Sequence, residues 1–198
     1  MVDVALVQKL REMTAASILD CKKALEEHKG DMEKAVEFLR KKGVADAVKK
    51  QNRQVKDGLI ASYIHQGGRL GVLVELNCET DFVAKTKEFG ELAHDLAMQV
   101  AAANPLYVKR DEISGELIAK EKEIYRAQVT DKPPQVVEKI VEGKLEKYFA
   151  QVCLMEQPFI RDPKINITEV IKQCIAKVGE NISVKRFIRF ELGAKDQC

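Results

Sequence analysis

Apolar residues recur at helical spacing through the first 43 positions and change to strand spacing soon afterwards. Val4, Val7 and Leu10, with Arg11, fall at three- and four-residue steps and predict a first helix, which Thr14-Ala15-Ala16-Ser17 breaks. Ser17 is placed to cap a second helix carrying Ile18, Cys21, Ala24 and Leu25 and ending at Lys29-Gly30. Asp31 is placed to cap a third, with Met32, Ala35, Val36 and Leu39 inward and Gly43 as its C-terminal stop. Each helix is too short to persist alone in water, so the three must pack against one another.

Residues 44–57, which include Lys49-Lys50-Gln51-Asn52-Arg53-Gln54, lack a clear apolar stripe and read as a charged connector ending at Asp57-Gly58. Leu59-Ile60-Ala61-Ser62-Tyr63-Ile64 and Leu70-Gly71-Val72-Leu73-Val74-Glu75-Leu76 then predict two strands, with Gly67-Gly68 supplying the hairpin turn. The second strand runs into Asn77-Cys78-Glu79-Thr80-Asp81-Phe82-Val83. A buried strand has no use for Glu79, Thr80 and Asp81 in succession, because an unpaired carboxylate in an apolar interior costs several kcal/mol. This stretch therefore belongs at a sheet edge or tip. Phe82 either folds back into the core, with Asp81 capping the next helix, or protrudes beside its carboxylate as a wedge.

Phe89, Leu92, Ala93, Leu96, Val100 and Ala103 form a strong helical stripe that Pro105 ends. Ser114 opens another helix through Ile118, Glu121 and Tyr125, and Pro133-Pro134 a further one along Val137, Ile140, Val141 and Leu145. Gln157-Pro158-Phe159 reads as a loop, and Thr168 as the cap of a helix carrying Val170, Ile171, Ile175 and Val178. Residues 182–192 alternate apolar and polar and predict a last strand, with Phe187 as an aromatic on its polar face. The pattern implies an α+β protein in three parts: a helical region at 1–43, a connector at 44–57, and at 58–198 a small, mostly antiparallel sheet packed with helices.

The chemistry is chiefly one of exclusions. With 33 basic and 31 acidic residues the net charge is +2, so no whole-chain polyanion footprint exists. No apolar run approaches the ~20 residues that span a bilayer, and Met1-Val2-Asp3-Val4 does not open a secretory signal, so a cytoplasmic location is expected. Cys21, Cys78, Cys153, Cys174 and Cys198 are far apart and form no CxxC pair, which points to buried reduced thiols rather than disulfides or zinc. The sequons at Asn166 and Asn181 are chance matches without a secretory route. No phosphate-binding loop, dinucleotide turn or nucleophile elbow is present, and His28, His65 and His94 are scattered. Cys78 beside Glu79 has no basic neighbour in sequence to make it a thiolate. Neither a cofactor nor an enzymatic activity is implied.

Leu10-Arg11-Glu12-Met13-Thr14, continued by Asp20-Cys21-Lys22-Lys23-Ala24-Leu25, resembles the first signature of the elongation factor Ts family. Glu75-Leu76-Asn77-Cys78-Glu79-Thr80-Asp81-Phe82-Val83-Ala84 resembles its second. Val141-Glu142-Gly143, Gln157-Pro158-Phe159 and Phe187-Ile188-Arg189-Phe190-Glu191 follow in the family's order. The resemblance implies a ubiquitin-associated-like three-helix bundle, a linker, and a core that grips elongation factor Tu. It also implies nucleotide exchange rather than enzymatic chemistry. Thr80, Asp81, Phe82 and Val83 would dislodge the partner's magnesium ion and loosen its hold on the phosphates so that GDP leaves. Ile18 and Leu19 would dock the bundle onto the partner's nucleotide domain, and one of them must point away from a bundle face filled by Cys21 and Leu25; the other possibility is that both are ordinary packing residues.

Two departures bear on this. Ala15 and Ser17 stand where the family usually has glycines, so that turn cannot require a glycine-only conformation. Gly179-Glu180-Asn181-Ile182 runs almost directly into the last strand, so the chain resembles a short form with one core half. A single half leaves a sheet edge unpaired; either a homodimer forms through residues 182–192, with Phe187, Ile188 and Phe190 at its interface, or a neighbouring helix covers Phe187 and the chain stays monomeric, and the dimer is the expectation. The competing reading is a ribosome- or RNA-associated module that uses Arg40, Lys41, Lys42, Lys49, Lys50 and Arg53.

Overall fold

A computed structural model describes residues 3–14, 16–129 and 132–194; Ala15 and Cys198 lie outside the described residues. The N-terminal helices are α1 (Val4–Thr14), α2 (Ile18–Glu27) and α3 (Met32–Lys50). The strands β1 (Asp57–Ile64) and β2 (Leu70–Cys78) follow, then helices α4 (Asp81–Ala84), α5 (Lys87–Ala103), α6 (Gly115–Ala127) and α7 (Pro134–Val152). The short strands β3 (Pro158–Phe159) and β4 (Asp162–Asn166) precede helix α8 (Ile167–Val178) and strand β5 (Ile182–Glu191). One sheet has the order β1-β2-β5, and β3 with β4 makes a second, antiparallel one. This is an α+β architecture.

Contacts divide the chain into two compact units: Met1–Ile60 with Glu75–Ala93 and Glu169–Ser183, and Ala61–Val74 with His94–Thr168 and Val184–Cys198. In the first unit the Ser17 and Asp31 caps agree with the sequence pattern, and so does the core except at Val4 and Ile18, which were read on the apolar faces of their helices and are exposed. Ser17 Oγ accepts from the Asp20 N–H at 3.1 Å, and Asp31 Oδ1 from the Lys34 N–H at 3.1 Å. Val7, Leu10, Cys21, Ala24, Leu25, Ala35 and Leu39 form the bundle core. Each fully buried leucine there contributes roughly 1.5–3 kcal/mol of transfer free energy.

Gly43 departs from expectation. Helix α3 does not stop there but continues to Lys50, through the first half of the segment read as a connector. The glycine serves a neighbour instead: a Cβ at position 43 would lie 2.9 Å from the Ala176 Cβ of α8. A boundary between domains at residue 43 would thus fall inside a continuous helix.

In the second unit, Ile113, Leu145, Phe149 and Cys153 form a core cluster. The Arg110 guanidinium stacks 4.3 Å above the Phe149 ring, donates to Glu146 Oε1 at 2.8 Å and is also bonded to Glu156. Gln157-Pro158-Phe159 is not a plain loop. Gln157 and Gln99 are both buried; Gln99 Nε2 donates to Gln157 Oε1 and to the Pro158 carbonyl, and Gln99 Oε1 accepts the Ile160 N–H at 2.9 Å. These bonds tie the β3–β4 hairpin to α5, and the sequence pattern did not predict either strand. Thr168 is likewise not a cap: it lies inside the first turn of α8 and its hydroxyl donates to the Met155 carbonyl at 2.7 Å.

The α3–α8 approach yields a sign that can be checked. Gly43→Ala gains ~0.5–1 kcal/mol of helix propensity, but forcing a methyl into a filled contact costs ~1–3 kcal/mol. The crowding term is larger, so urea denaturation should show a net loss of about 1 kcal/mol. Ala176→Gly in the same chain should recover part of it, as a coupled pair must. Stabilisation by Gly43→Ala alone would contradict the close approach.

Candidate functional site

The polar tip after β2 is a helical turn rather than a loop. Thr80 takes extended angles (φ −134°, ψ 157°) and precedes the four-residue helix Asp81–Ala84. The Ala84 N–H reaches the Thr80 carbonyl at 3.3 Å, and the Thr86 N–H reaches that of Val83 at 3.0 Å. Successive helical residues face about 100° apart, so Phe82 and Val83 cannot both be inward. Val83 is buried and Phe82 is 81% exposed. The protruding alternative for Phe82 is therefore the observed one. Asp81, beside it, pairs with Lys85 Nζ at 2.6 Å, and that bond holds its carboxyl below the usual aspartate range while raising the ammonium.

Beneath the turn, Cys78 is buried and its thiol donates to the Thr80 carbonyl at 3.1 Å. Burial first, and the negative charges of Glu180 and Asp57 second, push this thiol up to about 11. A nucleophile needs the opposite shift. At pH 7.5 iodoacetamide should leave Cys78 unmodified in the folded protein and alkylate it only on denaturation, read by peptide mass mapping. Rapid modification of the native chain would contradict this environment.

Ile18 and Leu19 open α2 and are 60% and 63% exposed, so both point away from the bundle, not one of them. Met13, at the end of α1, is similarly exposed. The sequence pattern gave no reason to separate it from the other apolar positions of its helix. The connector cations are largely occupied: Lys41 pairs with Glu37, Lys42 with Asp20, Lys49 with Asp46 and Arg53 with Glu79.

On the second unit's part of the sheet, Ile64, Leu73, Ile188, Phe190 and Leu192 are exposed. Ile64 folds over Gly71, where a Cβ would meet its Cδ1 at 2.9 Å. Phe187 is not exposed with Ile188 and Phe190. Lys185 and Arg186 are both exposed in succession, the burial alternation shifts by one, and Phe187 becomes half-buried. The sequence signal for this surface was the run Leu70-Gly71-Val72-Leu73-Val74, apolar at every position, which is the mark of a strand covered on both faces.

Among the described residues no group of histidine, cysteine and carboxylate side chains is placed to hold a metal ion, and no helix is long and apolar enough to cross a membrane. The sequence profile of the family described as Elongation factor TS matches residues 2–194. A protein named Elongation factor Ts from Thermotoga petrophila is 63% identical over 192 residues, covering 97% of this chain and 96% of its own length. The Elongation factor Ts of Carboxydothermus hydrogenoformans is 57% identical over 195 residues, covering 98% and 90%. That of Thermodesulfovibrio yellowstonii is 56% identical over 189 residues, covering 95% and 94%. With its signature residues in place from end to end, the chain belongs to the elongation factor Ts family.

Proposed function

We propose that this chain is a guanine-nucleotide exchange factor for elongation factor Tu in the cytoplasm and performs no covalent chemistry. The observation that carries the reading is Phe82: a large ring, 81% exposed, on a short helix anchored from below by Val83 and flanked by the Asp81–Lys85 pair. Single exposed apolar residues are ordinary on protein surfaces; what marks this one is its place in the Thr80–Val83 signature, on a single-turn helix at the end of β2. Magnesium demands near-ideal octahedral coordination, so small displacements of its ligands weaken its hold on a bound diphosphate. In this reading the Thr80–Val83 turn enters the partner near the nucleotide, Phe82 fills an apolar pocket, and Asp81 disturbs the local charge. Ile18 and Leu19 supply docking contacts. The chain accelerates release because it binds the nucleotide-free partner more tightly than the GDP-bound one. The paired state of Lys41, Lys42, Lys49 and Arg53 leaves little basic surface for an RNA.

Release of fluorescent GDP from elongation factor Tu tests this. Phe82→Ala should lower the maximal release rate about tenfold or more, while its melting curve stays within the ~0.5 kcal/mol typical of surface substitutions. A combined Ile18→Ser and Leu19→Ser variant should instead raise the half-saturating concentration, since docking and wedging are separate acts. Normal release by Phe82→Ala would sink the wedge.

The exposed apolar residues of the sheet also fit a second copy of the chain, since β1 and β5 are the sheet's edge strands and closed twofold dimers are the commonest homo-oligomers. Ile188 and Phe190, on β5, would lie in that interface, with half-buried Phe187 behind them. Light scattering at micromolar concentration should give twice the 22.3 kDa chain mass, and Phe190→Lys should return the single mass. A single mass for the unaltered chain refutes the dimer.

A further inference from the structure

The wedge turn is too short to hold itself. A four-residue helix lies far below the ~12–15 residues at which isolated helices become even marginal in water. Its cap residue, Thr80, does not cap it through its own side chain. The threonine hydroxyl is turned away and donates to Glu180 Oε1 at 2.7 Å, while the Thr80 N–H donates to Glu180 Oε2 at 3.0 Å. A single carboxylate, distant in sequence, thus grips both hydrogen-bond donors of the residue on which the wedge helix starts.

The neighbouring residue holds that carboxylate in place. Helix α8 ends at Gly179, whose N–H closes on the Ile175 carbonyl at 2.9 Å and whose φ of +82° is strained for any residue with a side chain. The chain then turns so that Glu180 faces Thr80 and Asn181 goes under it. Asn181 is buried, and its backbone N–H and side-chain amide N–H groups bond within the first unit. Its N–H donates to Glu79 Oε1 at 2.7 Å, and its side-chain amide donates to the Gln51 and Arg53 carbonyls at 3.1 and 2.8 Å. Arg53 in turn pairs with Glu79 at 3.5 Å. Glu79-Thr80 and Glu180-Asn181 therefore clasp each other, and the clasp also holds the backbone just past the end of α3.

These bonds concentrate on the residues immediately before the wedge, not on the core. A ring that displaces groups on a partner must be resisted from behind, or its own backbone yields first. We propose that Glu180, seated by Asn181, is the positioning residue of the exchange wedge: it fixes Thr80, and through Thr80 the direction of Phe82. The proposal rests on the exchange reading given above. Asn181 adds a second constraint, because its bonds to the Gln51 and Arg53 carbonyls fix the wedge relative to the end of α3 within the same unit.

Full-length Glu180→Ala and Glu180→Gln variants test the assignment in GDP release from elongation factor Tu. Glu180→Ala should lower the maximal rate about tenfold, with the half-saturating concentration changed less than about twofold, the pattern of an interaction lost at the exchange step and not at docking. Glu180→Gln, which keeps one acceptor oxygen for Thr80 but loses the charge and the second acceptor, should recover only part of the rate. In a Phe82→Ala background Glu180→Ala should have no further effect, because both act through the same ring; independent, multiplying losses would overturn the proposal, as would a loss confined to the half-saturating concentration. Should the unaltered chain fail to release GDP at all, the exchange reading falls and the positioning claim is judged alone by amide hydrogen exchange. Glu180→Ala should then speed exchange at residues 80–86 about tenfold, as loss of a helix cap does, and leave α1 to α3 unchanged. Unaltered protection at 80–86, or a uniform rise across the chain, would overturn it.

Discussion

The exposed ring of Phe82 depends on a reciprocal pair of carboxylate contacts. Glu79 accepts the Asn181 N–H at 2.7 Å, and Glu180 accepts the Thr80 N–H and hydroxyl at 3.0 and 2.7 Å. Charged acceptors make hydrogen bonds roughly twice as strong as neutral ones. That margin matters here because the helix they start has a single turn and one buried apolar residue, Val83, to keep it formed. The surrounding design serves the clasp. Gly43 lets α8 approach α3 closely, and Gly179 turns the chain at the end of α8.

The division of labour between burial and polarity follows the same logic. Cohesion of the N-terminal bundle comes from apolar residues of α1, α2 and α3, while its polar bonds supply direction. The surface ion pairs such as Lys41–Glu37 and Lys49–Asp46 are exposed, and pairs of this kind contribute ~0–1 kcal/mol each. Their consequence is electrostatic: each sets a carboxylate beside a cation of the basic stretch. Cys78 illustrates the opposite limit, a buried thiol whose proton is held by its surroundings and which supports the Thr80 carbonyl from below.

Most helices and the three longer strands were legible because their periodicity is local. The caps at Ser17, Asp31 and Ser114 could be placed for the same reason. Most of the misreadings share one cause, a partner remote in sequence; Phe187 is the exception. Gly43 looks like a helix stop until Ala176 is known to lie against it. The β3–β4 hairpin includes Asp162 and Pro163, poor strand formers, and persists because buried Gln99, itself bonded to the Gln157 side chain, satisfies the Pro158 carbonyl and the Ile160 N–H. Phe187 was assigned to an exposed face because strict alternation was carried past Lys185 and Arg186, where the alternation shifts. The tip motif itself was visible, but whether Phe82 pointed in or out was not. That depends on Val83 taking the inward position and on Glu180 holding Thr80.

In the function proposed above, this chain speeds GDP release by disturbing the magnesium site of its partner. The most direct test of that claim is the acceleration factor for GDP release from elongation factor Tu, measured once with saturating magnesium and once after chelation. Removing the ion beforehand takes away part of what the wedge does, so the factor should be smaller in chelator than in magnesium. Equal factors under the two conditions would contradict it.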